Sequence, residues 1–129
     1  MAQFFGKYPR NVDEKGRVII PASFRKKLGA EFYIVQGKKK KLMIYTTEDW
    51  EEYFTQYAND NEEDDNAMLK ESLIADSVME VKCDSQGRIC IPPDYRAHAD
   101  IKEETTVLGV GKRIDVWNPD KYDAFLKGK

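Results

Sequence analysis

Between Arg17 and Leu28 the hydrophobic pattern changes its period. The run RVII (17–20) is β-branched and suits a strand. Pro21 then ends that strand and suits the opening of a helix, where its missing N–H would be unpaired anyway. In PASFRKKL (21–28), Phe24 and Leu28 stand one helical turn apart on one face, with Arg25, Lys26 and Lys27 pointing away. EFYIVQG (31–37) and KKLMIYT (40–46) follow as two strand candidates joined by GKKK. TEDWEEYFTQY (47–57) is an amphipathic helix with Thr47 as the expected N-cap and acidic residues in its first turn.

The same order returns further along. DEKGRVIIPASFRKKL (13–28) meets DSQGRICIPPDYRAHA (84–99) at an offset of 71, which superposes Asp13, Gly16, Arg17, Ile20, Pro21 and Arg25 on Asp84, Gly87, Arg88, Ile91, Pro92 and Arg96. LMIYTTEDWEEYF (42–54) meets IDVWNPDKYDAFL (114–126) at an offset of 72, so one inserted residue reconciles the two blocks. In this second copy Asn118 and Pro119 mark the helix start. A repeated supersecondary unit takes precedence over any single-element reading. The expected organisation is a first repeat over 1–54, an acidic and helical linker over 55–80, and a second repeat over 81–129. Within the linker, Met68, Leu69, Leu73 and the 74–78 stretch have helical spacing that runs toward VMEVKCD, the incoming strand of the second copy.

Composition refines this picture mainly through charge. The chain has 129 residues and a formal net charge of −2, which by itself argues against a nucleic-acid binder. The distribution argues otherwise. Residues 1–41 carry eleven Lys and Arg against three Asp and Glu, whereas residues 42–83 carry two against twelve. The stretch DNEEDD (60–65) thus masks a basic first segment, and such asymmetry points to a polyanionic partner.

Each copy places an aspartate four residues before an arginine across a Gly-containing turn. A charge-assisted pair of that kind can hold the guanidinium in one orientation. The arginine can then offer its donor fork to a phosphate or to guanine O6 and N7 in the major groove, which admits a two-stranded ribbon. In the plainer alternative each pair only pins its own hairpin. Arg25 and Arg96, just after each proline, are candidates for backbone-phosphate contact, and Lys38 to Lys41 read as a solvated basic turn. Tyr45, Trp50 and Tyr53, with their counterparts Trp117, Tyr122 and Phe125, have a spacing that suits core or subunit-interface packing rather than base stacking.

The doubled D-x-x-G-R-x-x-I-P, together with GVGKRIDVWNPDKYDAF near the chain's end, resembles the MraZ family of bacterial transcriptional regulators, tandem relatives of the AbrB/SpoVT swapped-hairpin DNA-binding domain. The resemblance covers almost the whole chain. Its departures are the loop GKKKKL, more basic than the usual turn there, and AMLKESLIADS, which lacks the arginine-bearing apolar helix common in the family. It implies a mainly β fold with short helices, in which two tandem AbrB/SpoVT-like swapped-hairpin halves interlock into one barrel-like body. It also implies a ring-shaped homo-oligomer that binds short direct repeats in double-stranded DNA upstream of the division and cell-wall gene cluster. The family mostly represses that cluster, its own gene included. Carried over to this chain, the DNA-facing positions are Asp13 and Arg17 in the first turn, with Lys15 inside it, and Asp84 and Arg88 in the second, where Gln86 replaces the lysine.

Other classes are disfavoured. One histidine, His98, and two cysteines, Cys83 and Cys90, supply neither a nucleophile with its base nor a metal-ligand spacing, and no Gly-rich phosphate loop is present. No enzyme activity, cofactor, metal or small-molecule substrate is expected. No apolar run reaches the roughly 18 to 20 residues of a membrane span, so a cytoplasmic, nucleoid-associated protein is expected. The alternative from another class is a protein-interaction or antitoxin-like module that docks a protein through the acidic stretch and the hairpins, with DNA contact incidental.

Overall fold

The computed structural model describes residues 3–60 and 64–128; Asn61, Glu62 and Glu63 of the acidic stretch lie outside the described residues. In chain order the elements are β1 (Phe4–Asn11), β2 (Arg17–Ile19), α1 (Ala22–Leu28), β3 (Glu31–Gly37), β4 (Lys41–Thr46), α2 (Thr47–Asp60), α3 (Asp65–Asp76), β5 (Val78–Lys82), β6 (Arg88–Cys90), α4 (Pro93–Ala99), β7 (Glu104–Gly111), β8 (Arg113–Trp117) and α5 (Pro119–Leu126). The architecture is mainly β with short helices. A six-stranded antiparallel sheet runs in the order β1-β7-β8-β4-β3-β5, and β2 pairs with β6 as a separate two-stranded ribbon.

The pairing interlocks the two copies. β1 lies along β7 for its whole length, from Phe4 opposite Gly111 to Asn11 opposite Glu104. β5 lies along β3, with Glu31 opposite Lys82 and Val35 opposite Val78. Each copy therefore lends its first strand to the other's sheet. These two lent strands form the sheet's edges, and each continues through a turn into one strand of the ribbon. The β2–β6 ribbon thus links the chain segments that leave the two edges of the sheet.

Alternation along the strands separates two faces. Val18 and Ile89 on the inner face of the ribbon are buried, as are Ile20 and Ile91 just beyond it, and they share one core with Phe4, Phe24, Phe32, Ile34, Ile44 and Ile114. Phe24, on the face of α1 that the spacing predicts, meets Phe4 and Tyr8 edge to face, with centroids 5.5 and 5.3 Å away. The opposite face of the sheet carries the two aromatic sets. Trp50 packs on Tyr45 and Tyr53 at 5.5 and 5.6 Å, and Trp117 packs on Tyr122 and Phe125 at 5.6 and 5.2 Å.

One local expectation is revised. The α2 cap is Thr46, whose Oγ1 accepts from the Asp49 N–H at 3.0 Å, while Thr47 donates to the Glu31 carbonyl on the neighbouring strand. Asn118, which occupies the position equivalent to Thr46 in the repeat, caps α5 by accepting from the N–H groups of Asp120 and Lys121. Helix α3 forms where the spacing places it. Its Ala67 is buried, whereas Met68, Leu69 and Leu73 are exposed.

Candidate nucleic-acid interface

The doubled turns are built by short-range bonds that the sequence encodes locally. In the first, Gly16 N–H donates to the Asp13 carbonyl at 2.9 Å and Asp13 N–H to the Arg17 carbonyl at 3.0 Å. The second repeats this with Gly87, Asp84 and Arg88 at 3.0 and 2.8 Å. Gly16 and Gly87 have φ of +80° and +78°, a conformation in which a Cβ would be strained, so glycine is the residue these turns need.

Each aspartate divides its two oxygens between backbone and guanidinium. Asp13 Oδ1 accepts from the Lys15 and Arg17 N–H groups at 3.0 and 2.8 Å, and Oδ2 accepts from Arg17 Nε at 2.6 Å. Asp84 Oδ1 accepts from the Gln86 and Arg88 N–H groups, both at 2.9 Å, and Oδ2 from Arg88 Nε at 2.8 Å. With Nε engaged, each guanidinium is held in one plane and its terminal nitrogens make no hydrogen bond to any described residue. Hydrogen bonds from the Arg17 and Arg88 backbone amides, followed by those of the guanidinium, hold Asp13 and Asp84 below the ordinary carboxylate value of 3.8, against the opposing effect of burial.

The pH consequence follows from that direction. A depressed folded-state value means that the turn's extra order is present above 3.8 and is lost as pH falls through the lower, folded value. A carboxyl-carbon NMR titration should place both aspartates below 3.8. Because the backbone amide is the larger cause, Arg17→Ala should leave Asp13 still depressed; a return to the ordinary value would show that the guanidinium is the main anchor.

The ribbon brings the two turns together. β2 and β6 run antiparallel with Arg17 opposite Cys90 and Ile19 opposite Arg88. Alternation puts Arg17, Ile19, Arg88 and Cys90 on the outer face, away from buried Val18 and Ile89. The arginines are offset by two residues along the ribbon, roughly 6–7 Å, and by one strand spacing of about 4.8 Å across it. Lys15 is exposed in the first turn, and Gln86 is exposed in the second.

Arg25 and Arg96 are placed differently from the tips. Arg25 turns back rather than pointing away, and its Nη1 donates to the Ile20 carbonyl at 2.9 Å; Arg96 Nη1 donates to Ile91 at 2.7 Å. Both are half-buried. Lys38, Lys39 and Lys40 are exposed, as a solvated turn requires, but Lys41 leaves that group and pairs with buried Asp115 at 3.0 Å. Sequence reasoning missed this ion pair because its partners lie 74 positions apart. His98 is half-buried, and its Nε2 donates to the Gly37 carbonyl at 2.8 Å. Among the described residues no group of three or more His, Cys, Asp or Glu could hold a metal ion, and no helix is long and apolar enough to cross a membrane.

Comparison with known proteins adds a family to this geometry. The family model described as "MraZ protein, putative antitoxin-like" matches residues 4–72 and 76–129. A protein of Dictyoglomus thermophilum named "Transcriptional regulator MraZ" is 38% identical over 125 residues, which span 96% of this chain and 85% of that protein. Proteins of the same name from Ligilactobacillus salivarius and Alkaliphilus oremlandii are each 36% identical, over 95% of this chain and 85% of theirs.

Proposed function

The chain belongs to the MraZ family and is a non-enzymatic transcriptional regulator; from that premise we propose that it reads double-stranded DNA through the outer face of the β2–β6 ribbon. The observation that carries this reading is the pair of pre-oriented guanidinium groups on one two-stranded ribbon, each held at Nε by its own aspartate. A ribbon of this width enters a major groove about 12 Å wide, where an arginine fork matches guanine O6 and N7. Lys15 adds a positive charge at the first tip, so the two turns contribute unequally.

One ribbon on a chain of net charge −2 binds weakly. Several identical ribbons in a closed ring, each meeting one of a series of short direct repeats, convert weak contacts into avidity through effective concentration. The natural target is the region upstream of the division and cell-wall gene cluster, with repression of that cluster and of the chain's own gene as the outcome in a cytoplasmic, nucleoid-associated setting.

The test is DNA affinity measured against rising salt, on duplexes with one repeat or several from that upstream region and on a scrambled control. The expected result is preference for the multi-repeat duplex and a slope of about −0.9 per phosphate contacted in log K against log salt. Equal binding to the scrambled duplex would overturn specific reading, and equal affinity for one and several repeats would overturn the ring. A protein captured equally well after nuclease treatment, with no specific DNA binding, would favour the interaction-module alternative.

A further inference from the structure

The two reading turns are not supported by their own copies alone. Ile20 N–H donates to the Gly87 carbonyl at 3.0 Å, and Ile91 N–H donates to the Gly16 carbonyl at 2.9 Å. Each strand end is therefore fastened to the glycine of the opposite turn. The carbonyls of the same two residues, Ile20 and Ile91, are the acceptors of Arg25 and Arg96. Those guanidinium groups in turn occupy the space beside the opposite glycines. A Cβ at Gly87 would lie 2.6 Å from Arg25 Cζ, and one at Gly16 would lie 2.6 Å from Arg96 Cζ. Arg96 also donates to the Lys15 carbonyl at 3.4 Å, inside the first turn.

The arrangement is the same in both directions. A planar cation from one copy lies against the bare backbone of the other copy's turn, and a single isoleucine ties the two together, its N–H bonded to the turn glycine and its carbonyl to the arginine. A lysine cannot reproduce this, because an ammonium is a point charge with no flat face. The glycines thus have a second reason to lack a side chain besides their positive φ.

We propose that Arg25 and Arg96 are positioning residues that act crosswise, Arg25 setting the Asp84–Arg88 turn and Arg96 the Asp13–Arg17 turn, so that the two copies read DNA as one unit. This rests on the ribbon being the DNA-reading surface. It gives the helix arginines a function other than the phosphate contact their place after each proline suggests. It also gives tight interlocking a functional consequence, since neither turn is fully shaped without the partner copy.

The test is a pair of double-mutant cycles in the full-length protein. Affinity is read at low salt on a labelled duplex of the region upstream of the chain's own gene, with the oligomeric state of each variant checked. Arg25→Gln alone should weaken binding about tenfold, by about as much again in an Arg17→Ala background, but by less than about threefold once Arg88→Ala is present. Arg96→Gln should show the mirror pattern, coupling to Arg17 and not to Arg88. Arg25→Lys should lose nearly as much as Arg25→Gln, whereas a simple phosphate contact would largely survive that change.

A second readout needs no DNA. Amide hydrogen exchange at Gln86 and Gly87 should speed up in Arg25→Lys while Lys15 and Gly16 keep their protection, and Arg96→Lys should reverse the pattern. Additive losses in both cycles, coupling within one copy, or unchanged exchange at the opposite turn would each overturn the proposal. If Arg17→Ala and Arg88→Ala leave binding intact, the reading surface itself has failed; the exchange pattern then still decides whether the crosswise positioning holds.

Discussion

Replacing Arg17 and Arg88 together by alanine is expected to abolish specific DNA binding while the protein stays folded and assembled. The two guanidinium groups are held in orientation on the outer ribbon face with their terminal donors free of bonds to described residues, and a well-placed bidentate arginine contributes about 1–3 kcal/mol of discrimination. In the proposed ring, loss of two per chain would compound through avidity. The fold should survive because the turns do not depend on the guanidinium alone. Asp13 still accepts from the Lys15 and Arg17 amides, Asp84 from those of Gln86 and Arg88, and the glycine-to-aspartate backbone bonds are untouched. The measurement is titration of the upstream duplex alongside circular dichroism and sedimentation. Native-like affinity in the double variant would show that the Asp–Arg pairs only pin their hairpins and would move the search for the DNA face to the exposed Lys38–Lys40 turn.

The largest expected effect on stability lies on the other side of the sheet. Asp115 has a side chain only 4% exposed and accepts from Lys41 Nζ at 3.0 Å and Arg113 Nε at 2.8 Å. Lys41 is itself 14% exposed and lies 5.4 Å from the centroid of the Trp117 ring. The hydrogen bond from Arg113 to this carboxylate raises the guanidinium value further, burial opposing it. Asp115→Ala would strand the Lys41 ammonium beneath the aromatic face, whereas Arg113, more exposed, can turn to water. Breaking a buried pair in this way costs about 3–5 kcal/mol, and a lowering of the melting temperature by about 10–20 °C follows for a chain of this size. Lys41→Met should cost less, because the carboxylate keeps Arg113 and the methionine fills the space. If Asp115→Ala melts with the native protein, the cluster is better solvated than its burial implies and contributes nothing to stability.

How much of this was legible in the sequence depended on the range of each interaction. The turn glycines, the Asp–Arg pairs, the prolines at the helix starts and the strands at 31–37 and 41–46 all depend on residues within about four positions of one another. Period and turn chemistry therefore expose them directly. The α2 cap shows where local reading stops. Thr46 and Thr47 are equally good capping residues, and the choice follows from the Glu31 carbonyl on the adjacent strand, which engages Thr47 and leaves Thr46 to cap. The repeat had already aligned Thr46 with the capping Asn118, a signal that single-copy reasoning passed over.

Non-local features had no such trace. The cation in Lys38–Lys41 that leaves solvent is selected by a carboxylate from the other copy, and Arg25 turns back to the Ile20 carbonyl and lies beside the opposite turn's glycine. The sequence by itself thus determined the family, the duplicated grammar of elements and the chemistry at the two turn tips, because those are properties of short segments and their repetition. The interlocking of swapped hairpins was implied by the family resemblance; only the tertiary structure decided that β1 and β5 are the strands exchanged, that β2 and β6 form one ribbon, and that each turn glycine lies against an arginine of the other half. Strand pairing is carried by backbone groups that every residue shares, so side-chain patterns can say that a segment is a strand but not which edge will accept it.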